Sequence, residues 1–134
     1  MTALAAPRNT PAKKANQVGV PVATGVKIYA GSLVAANASG FAVPGATSAT
    51  LTYLGRAAET VDNTAGANGD KVVLVDRGQA FKFANLAGDA VTQAELGKTC
   101  YIVDDQTVAK TSNSSARSAA GKVVGVETDG VWVE

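Results

Sequence analysis

Val72-Val73-Leu74-Val75-Asp76-Arg77-Gly78-Gln79-Ala80-Phe81-Lys82-Phe83 is the stretch whose reading decides the fold. Two short runs of β-branched and aromatic residues flank Arg77-Gly78, the pattern of a hairpin closed by a two-residue turn. On that reading Val75 faces Ala80, Leu74 faces Phe81 and Val72 faces Phe83. Residues opposite one another in an antiparallel pair share a face, so Val72, Leu74, Phe81 and Phe83 are expected to line one apolar face.

Working outward, the same alternation of short apolar runs and Gly, Asn or Asp recurs. Gly25 to Tyr29 reads as a strand closed by Ala30-Gly31. Leu33 to Ala36 and Phe41 to Val43 flank the hairpin loop Asn37-Ala38-Ser39-Gly40, and Pro44-Gly45 ends that unit. Thr50 to Arg56 alternates as a strand, and Asp62 to Asp70 is a loop by composition. Thr92-Gln93-Ala94-Glu95 matches a capping box with Gly97 beyond it, which predicts one helical turn. Tyr101 to Val103 and Thr107 to Ala109 flank Asp104-Asp105-Gln106. Thr111 to Ala120 reads as a long loop, and the chain closes with Gly121 to Glu127, a turn at Asp129-Gly130, and Val131 to Val133. The total is roughly eight short strands and one helical turn. The fold class expected is all-β: a small β-barrel or β-sandwich of short antiparallel strands with one short helical turn and an extended N-terminal arm.

The arm is residues 1–19, ahead of a single β-rich domain over residues 20–134. Pro7 and Pro11 break helix, and the small residues between them offer little to bury. Fully extended, such a segment reaches roughly 55 Å, enough to touch a neighbouring molecule. Composition agrees with a β body. Among 134 residues there are 26 Ala and 18 Val but only 7 Leu, so strands are favoured over amphipathic helices. The length fits one domain.

Histidine is absent and Cys100 is the one cysteine. That removes Ser-His-Asp and Cys-His nucleophiles, His-based proton transfer and clustered zinc sites, and it forbids an intramolecular disulfide. No apolar run approaches the length of a membrane span, and the N-terminus lacks the apolar centre of a signal peptide. A soluble protein made in a reducing compartment is expected, with no membrane partner.

The net charge of +1 divides unevenly. Residues 1–58 carry five bases, Arg8, Lys13, Lys14, Lys27 and Arg56, and no carboxylate, whereas residues 59–134 carry 11 acids against 7 bases. A basic opening joined to an acidic remainder is expected to seek an acidic partner or acidic patches on copies of itself; the alternative is a run of small neutral residues with no such role. Arg8, Lys13 and Lys14 are the candidate contact residues of the arm. Nucleic acid is not expected, because three bases without interleaved aromatics make a poor phosphate track.

The other polar and nucleophilic groups read as structural. Asp104-Asp105 reads as a turn. Asp62, Asn63, Asn68 and Asp70 are oxygen donors, but their spacing does not follow a calcium loop. Cys100 reads as a core thiol. Gly66 to Lys71 lacks the ending of a phosphate loop and leads into a strand. No catalytic, cofactor or metal site is expected. Trp132 is different. With Asp129-Gly130 as the turn, Thr128 faces Val131, Glu127 faces Trp132 and Val126 faces Val133. Val124, Val126, Val131 and Val133 then form the core face, and Trp132 lies opposite, either covered by a second layer of the same chain or packed on another subunit.

The segments Gly25-Val-Lys-Ile-Tyr-Ala-Gly-Ser-Leu-Val34, Tyr53-Leu-Gly-Arg-Ala57, Leu96-Gly-Lys-Thr-Cys-Tyr-Ile-Val-Asp-Asp-Gln-Thr-Val108 and Gly121-Lys-Val-Val-Gly-Val-Glu-Thr-Asp-Gly-Val-Trp-Val133 resemble the cement or decoration proteins of tailed-bacteriophage capsids, including the lambda-type head-stabilising proteins. The resemblance implies a non-enzymatic structural protein of the virion. It would be made in the host bacterial cytoplasm, sit on the outer capsid surface, often as a homotrimer, and grip the major capsid protein with an N-terminal arm. The competing class is a carbohydrate- or receptor-binding β-sandwich module of a phage tail or fibre. Clustered aromatics usually mark such sites, and this chain has only seven.

Overall fold

The computed structural model describes residues 2–134. It is nearly all β. Twelve strands run β1 (Gln17–Pro21), β2 (Lys27–Ile28), β3 (Leu33–Ala36), β4 (Ala42–Pro44), β5 (Thr52–Ala57), β6 (Val61–Asp62), β7 (Val72–Asp76), β8 (Phe81–Asn85), β9 (Thr99–Ile102), β10 (Thr107–Ala109), β11 (Ala119–Glu127) and β12 (Gly130–Val133). Two single 3₁₀ turns, Ala87–Asp89 and Gln93–Glu95, lie between β8 and β9. Strands β1-β7-β5-β3-β4 form a five-stranded sheet, β10-β8-β12-β11-β9 close into a barrel, and β2-β6 make a small ribbon.

The strands expected at 72–76 and 81–85 are present, but they are not a hairpin. β7 pairs with β1 and β5 in the sheet, while β8 pairs with β12 and β10 in the barrel. The residues between Asp76 and Phe81 carry the chain from one unit to the other, and Gly78 has the positive φ of a tight bend. The predicted apolar face is split accordingly. Phe81 and Phe83 enter the barrel core, whereas Val73 and Val75 enter the sheet core and leave Val72 and Leu74 outside. Val-Val-Leu-Val is apolar at both parities, so alternation alone could not choose which side turns inward.

Two cores result. The barrel core gathers Phe81, Phe83, Val91, Cys100, Ile102, Val108, Val123, Val131 and Val133. The other gathers Val22, Ile28, Val34, Ala42, Ala57, Val61, Val73 and Val75. Strand β3 joins them, since Leu33 and Ala35 point into the first and Val34 into the second. Its unbroken apolar sequence is that of a strand buried on both faces. Gly45 permits the close approach: a Cβ there would lie 2.8 Å from Leu33 Cδ2, 3.1 Å from Ile102 Cγ2 and 2.7 Å from the Asp104 carbonyl.

Local signals held elsewhere. The β3–β4 hairpin pairs Ala35 with Val43 around the Asn37–Gly40 loop. Thr92 and Glu95 form the capping box, and Gly97 follows with φ +80°. The 3₁₀ turn at Ala87–Asp89 was not expected, nor were so many strands. Strand β1 begins at Gln17, so the last residues of the segment read as arm belong to the sheet.

Candidate functional site

Residues 2–16 are exposed and form no strand. Arg8, Lys13 and Lys14 take part in no ion pair among the described residues. The arm is anchored where β1 begins: Arg77 N–H donates to the Asn16 carbonyl at 2.9 Å, and Gln17 Nε2 donates to Asp76 Oδ1 at 3.0 Å. Asp76 also holds Arg56 Nη2 at 3.0 Å. The bond from Gln17, and then that from Arg56, holds its carboxyl below the usual carboxylate range. Arg56 in turn lies 4.6 Å over the Phe81 ring, so one guanidinium ties the root of the arm to the barrel.

β1 is an edge strand, paired only with β7 along its length. Asn16 O accepts from Arg77 and Val22 N donates to Lys71, so the even-numbered residues carry the ladder bonds. Antiparallel alternation then turns the main-chain polar groups of Gln17, Gly19 and Pro21 towards the open side. Pro21, lacking an N–H, occupies a position where none is needed for the sheet. On the outer face, Gly19 stands opposite Leu74 and Pro21 opposite Val72, which makes a flat apolar strip beside the edge.

Trp132 lies on the outer wall of the barrel, half-buried, opposite the core face as expected. The pairing that puts it there differs from the predicted one. Glu127 faces Gly130, Val126 faces Val131, Gly125 faces Trp132 and Val123 faces Val133, with an extra residue, Val124, bulged between the last two pairs. The bulge turns Val124 out of the core, 45% exposed, and brings Val123 in. Cover for the indole comes from its own chain. Its Nε1 donates to Glu127 Oε1 at 2.7 Å, and Lys82 Nζ, paired with Asp129 at 2.8 Å, sits 5.8 Å over the ring. Gly97 and Lys98 bond to Val123, which sets exposed Leu96 beside the bulge. Sequence reading missed Leu96 and Val124 as surface residues. The only warning in the sequence was Val123-Val124, two equivalent valines in one strand.

Most of the polar groups read as structural are bonded within the fold, although buried Asn63 Oδ1 has no hydrogen-bond partner among the described residues. In the 62–70 loop, Asp62 Oδ1 accepts from Thr64 and Asp70 Oδ2 accepts from Ala67 N. Asn68 Oδ1 accepts from Thr24 N, and buried Asn63 donates to the carbonyls of Ala23 and Ala67. Asp104 Oδ1 accepts from Gln106 N in its turn. Cys100 is buried, and burial pushes its thiol up to about 11. Among the described residues no three His, Cys, Asp or Glu side chains converge as metal ligands, and no helix is long and apolar enough to cross a membrane.

Compared with family models, curated proteins and solved structures, the chain matches none.

Proposed function

We propose that this protein is a decoration protein that binds the outer surface of a phage capsid, through the major capsid protein, and stabilises the shell as a non-catalytic homo-oligomer. The observation that carries this reading is the pairing of a basic arm that buries nothing on its own domain with the open edge of β1 that it runs into. An extended segment and an unpaired sheet edge both bind through main-chain hydrogen bonds, which need no special side chains. The sequence resemblance supplies the nature of the partner and the trimer as the expected oligomeric state.

Deleting residues 2–15 tests the reading. The truncated domain should keep its melting temperature nearly unchanged, because those residues make no contact with either core, and should lose binding to capsid shells. Equal shell binding by the truncated protein would overturn it. A charge contribution from Arg8, Lys13 and Lys14 should weaken as salt rises, since exposed pairs are screened within about 10 Å at 0.1 M. Replacing all three by Gln should remove that salt dependence.

A further inference from the structure

A second site lies away from the arm, at the turn between β2 and β3. Ser32 N–H donates to the Tyr29 carbonyl at 3.1 Å, and Gly31 has φ +86°, which makes Tyr29 to Ser32 a tight turn that only glycine at its third position relaxes. Leu33 N–H donates to the Asp105 carbonyl at 2.8 Å and so draws the 104–106 turn against it. Between the two turns is a groove of about 300 Å³ lined by Tyr29, Ala30, Gly31, Ser32, Asp105 and Gln106.

The groove holds polar groups the fold does not use. Ser32 is 7% exposed, and its hydroxyl is buried without a hydrogen-bond partner among the described residues, a costly arrangement beside the groove. Asp105 takes part in no ion pair among the described residues. Tyr29 is 56% exposed, the most exposed aromatic residue of the chain's β body, and Lys27 Nζ sits 4.9 Å from its ring centroid.

We propose that this groove binds one unit of a neutral saccharide. A pyranose ring presents an apolar face of C–H groups, which stacks on an aromatic ring, and an edge of hydroxyls that donate and accept at once. Tyr29 supplies the stacking surface, the Asp105 carboxylate accepts from two hydroxyls, and the Gln106 amide gives and takes. A small anion would meet Asp105 and a small cation would meet Lys27, so a neutral polyol suits the site better than either ion. The groove is at the small end of ligand pockets, which fits a single ring.

The test is a titration of the isotope-labelled full chain with methyl α-glucoside, methyl β-galactoside and N-acetylglucosamine, with glycerol as control, following the amide signals of Gly31, Ser32 and Gln106. At least one sugar should shift these signals and leave those of Gly125 and Trp132 in place. Tyr29→Ala and Asp105→Asn should each weaken that binding by about tenfold, a difference of about 1.4 kcal/mol. Both side chains lie outside the two cores, so the rest of the spectrum reports that the fold is kept. No shift with any of the three sugars well above about 1 mM, the weak end of specific affinity, overturns the proposal. So does an equal response to glycerol, or sugar binding that survives both substitutions. The site uses no residue of the arm, so its failure leaves the decoration reading standing, and loss of shell binding on arm deletion says nothing about the sugar.

Discussion

The five-stranded sheet and the closed barrel are made from the same small apolar residues, yet only one of them has an edge. The barrel closes on itself, with β10 paired to both β8 and β9. The sheet has edges at β4 and at β1, and at β1 the main-chain groups of Gln17 and Gly19 face the open side. Closure makes a rigid scaffold, and an open edge makes a place for another strand. The arm is attached to the open unit, while Trp132, Leu96 and Val124 decorate the closed one. Each unit therefore offers contact in a different currency: main chain in the sheet, side chains on the barrel wall.

The largest effect expected from breaking this arrangement is in the barrel core. Ile102 is fully buried there, and Ile102→Ala should cost about 2–5 kcal/mol in urea unfolding. Val73→Ala, equally buried in the sheet core, removes less side chain and should cost less. Because β3 faces both cores, both variants should unfold in one transition with unchanged slope; a second transition in either would mean that the units are independent.

Next comes the barrel wall. If Trp132 contacts another subunit or the shell, Trp132→Ala should cost at least about 2 kcal/mol in assembly, the scale of interface hot spots, while the monomer stays folded. An emission maximum that does not move on assembly would confine the indole to its Lys82 and Glu127 cover. Gly45→Ala sharpens the contrast at the junction instead. Its Cβ would press on Leu33 and Ile102, so a loss of about 1–3 kcal/mol is expected by calorimetry.

The smallest effect is electrostatic. Asp76 holds the root of the arm to Arg56, whose side chain is 43% exposed, so solvent screening limits Asp76→Asn to at most about 1 kcal/mol. The folded carboxyl is held low, so its contribution is complete above the unfolded value of about 3.9 and fades as pH falls through the lower folded one. Urea midpoints of wild type and Asp76→Asn should therefore differ at pH 7 and converge in acid. A gap that persists below about pH 2 would place the role of Asp76 in packing.

Much of this molecule was legible in the sequence, and the legible part is local. Turn chemistry marked the Asn37–Gly40 loop, the Thr92–Glu95 capping box and the strand positions themselves, because glycine φ, capping oxygens and β-branching act within a few residues. That Trp132 lies opposite the core, near Glu127, also followed from period-two alternation. The candidate groove was less legible: Tyr29 and Asp105 are 76 residues apart in the chain and meet only because Leu33 bonds to the Asp105 carbonyl.

Pairing was decided by the tertiary structure. Val72-Val-Leu-Val75 and Val123-Val124 are apolar at both parities, so either register buries valine and the sequence is nearly indifferent between them. The choice falls to long-range partners: β1 and β5 turn Val73 and Val75 inward, and β12 forces the bulge that expels Val124. The residues 77–80 that look like a turn become a crossing because Phe81 and Phe83 find Val131 and Val133 in a strand some 50 residues away, and burying them in a closed barrel removes an edge that a hairpin would have left exposed.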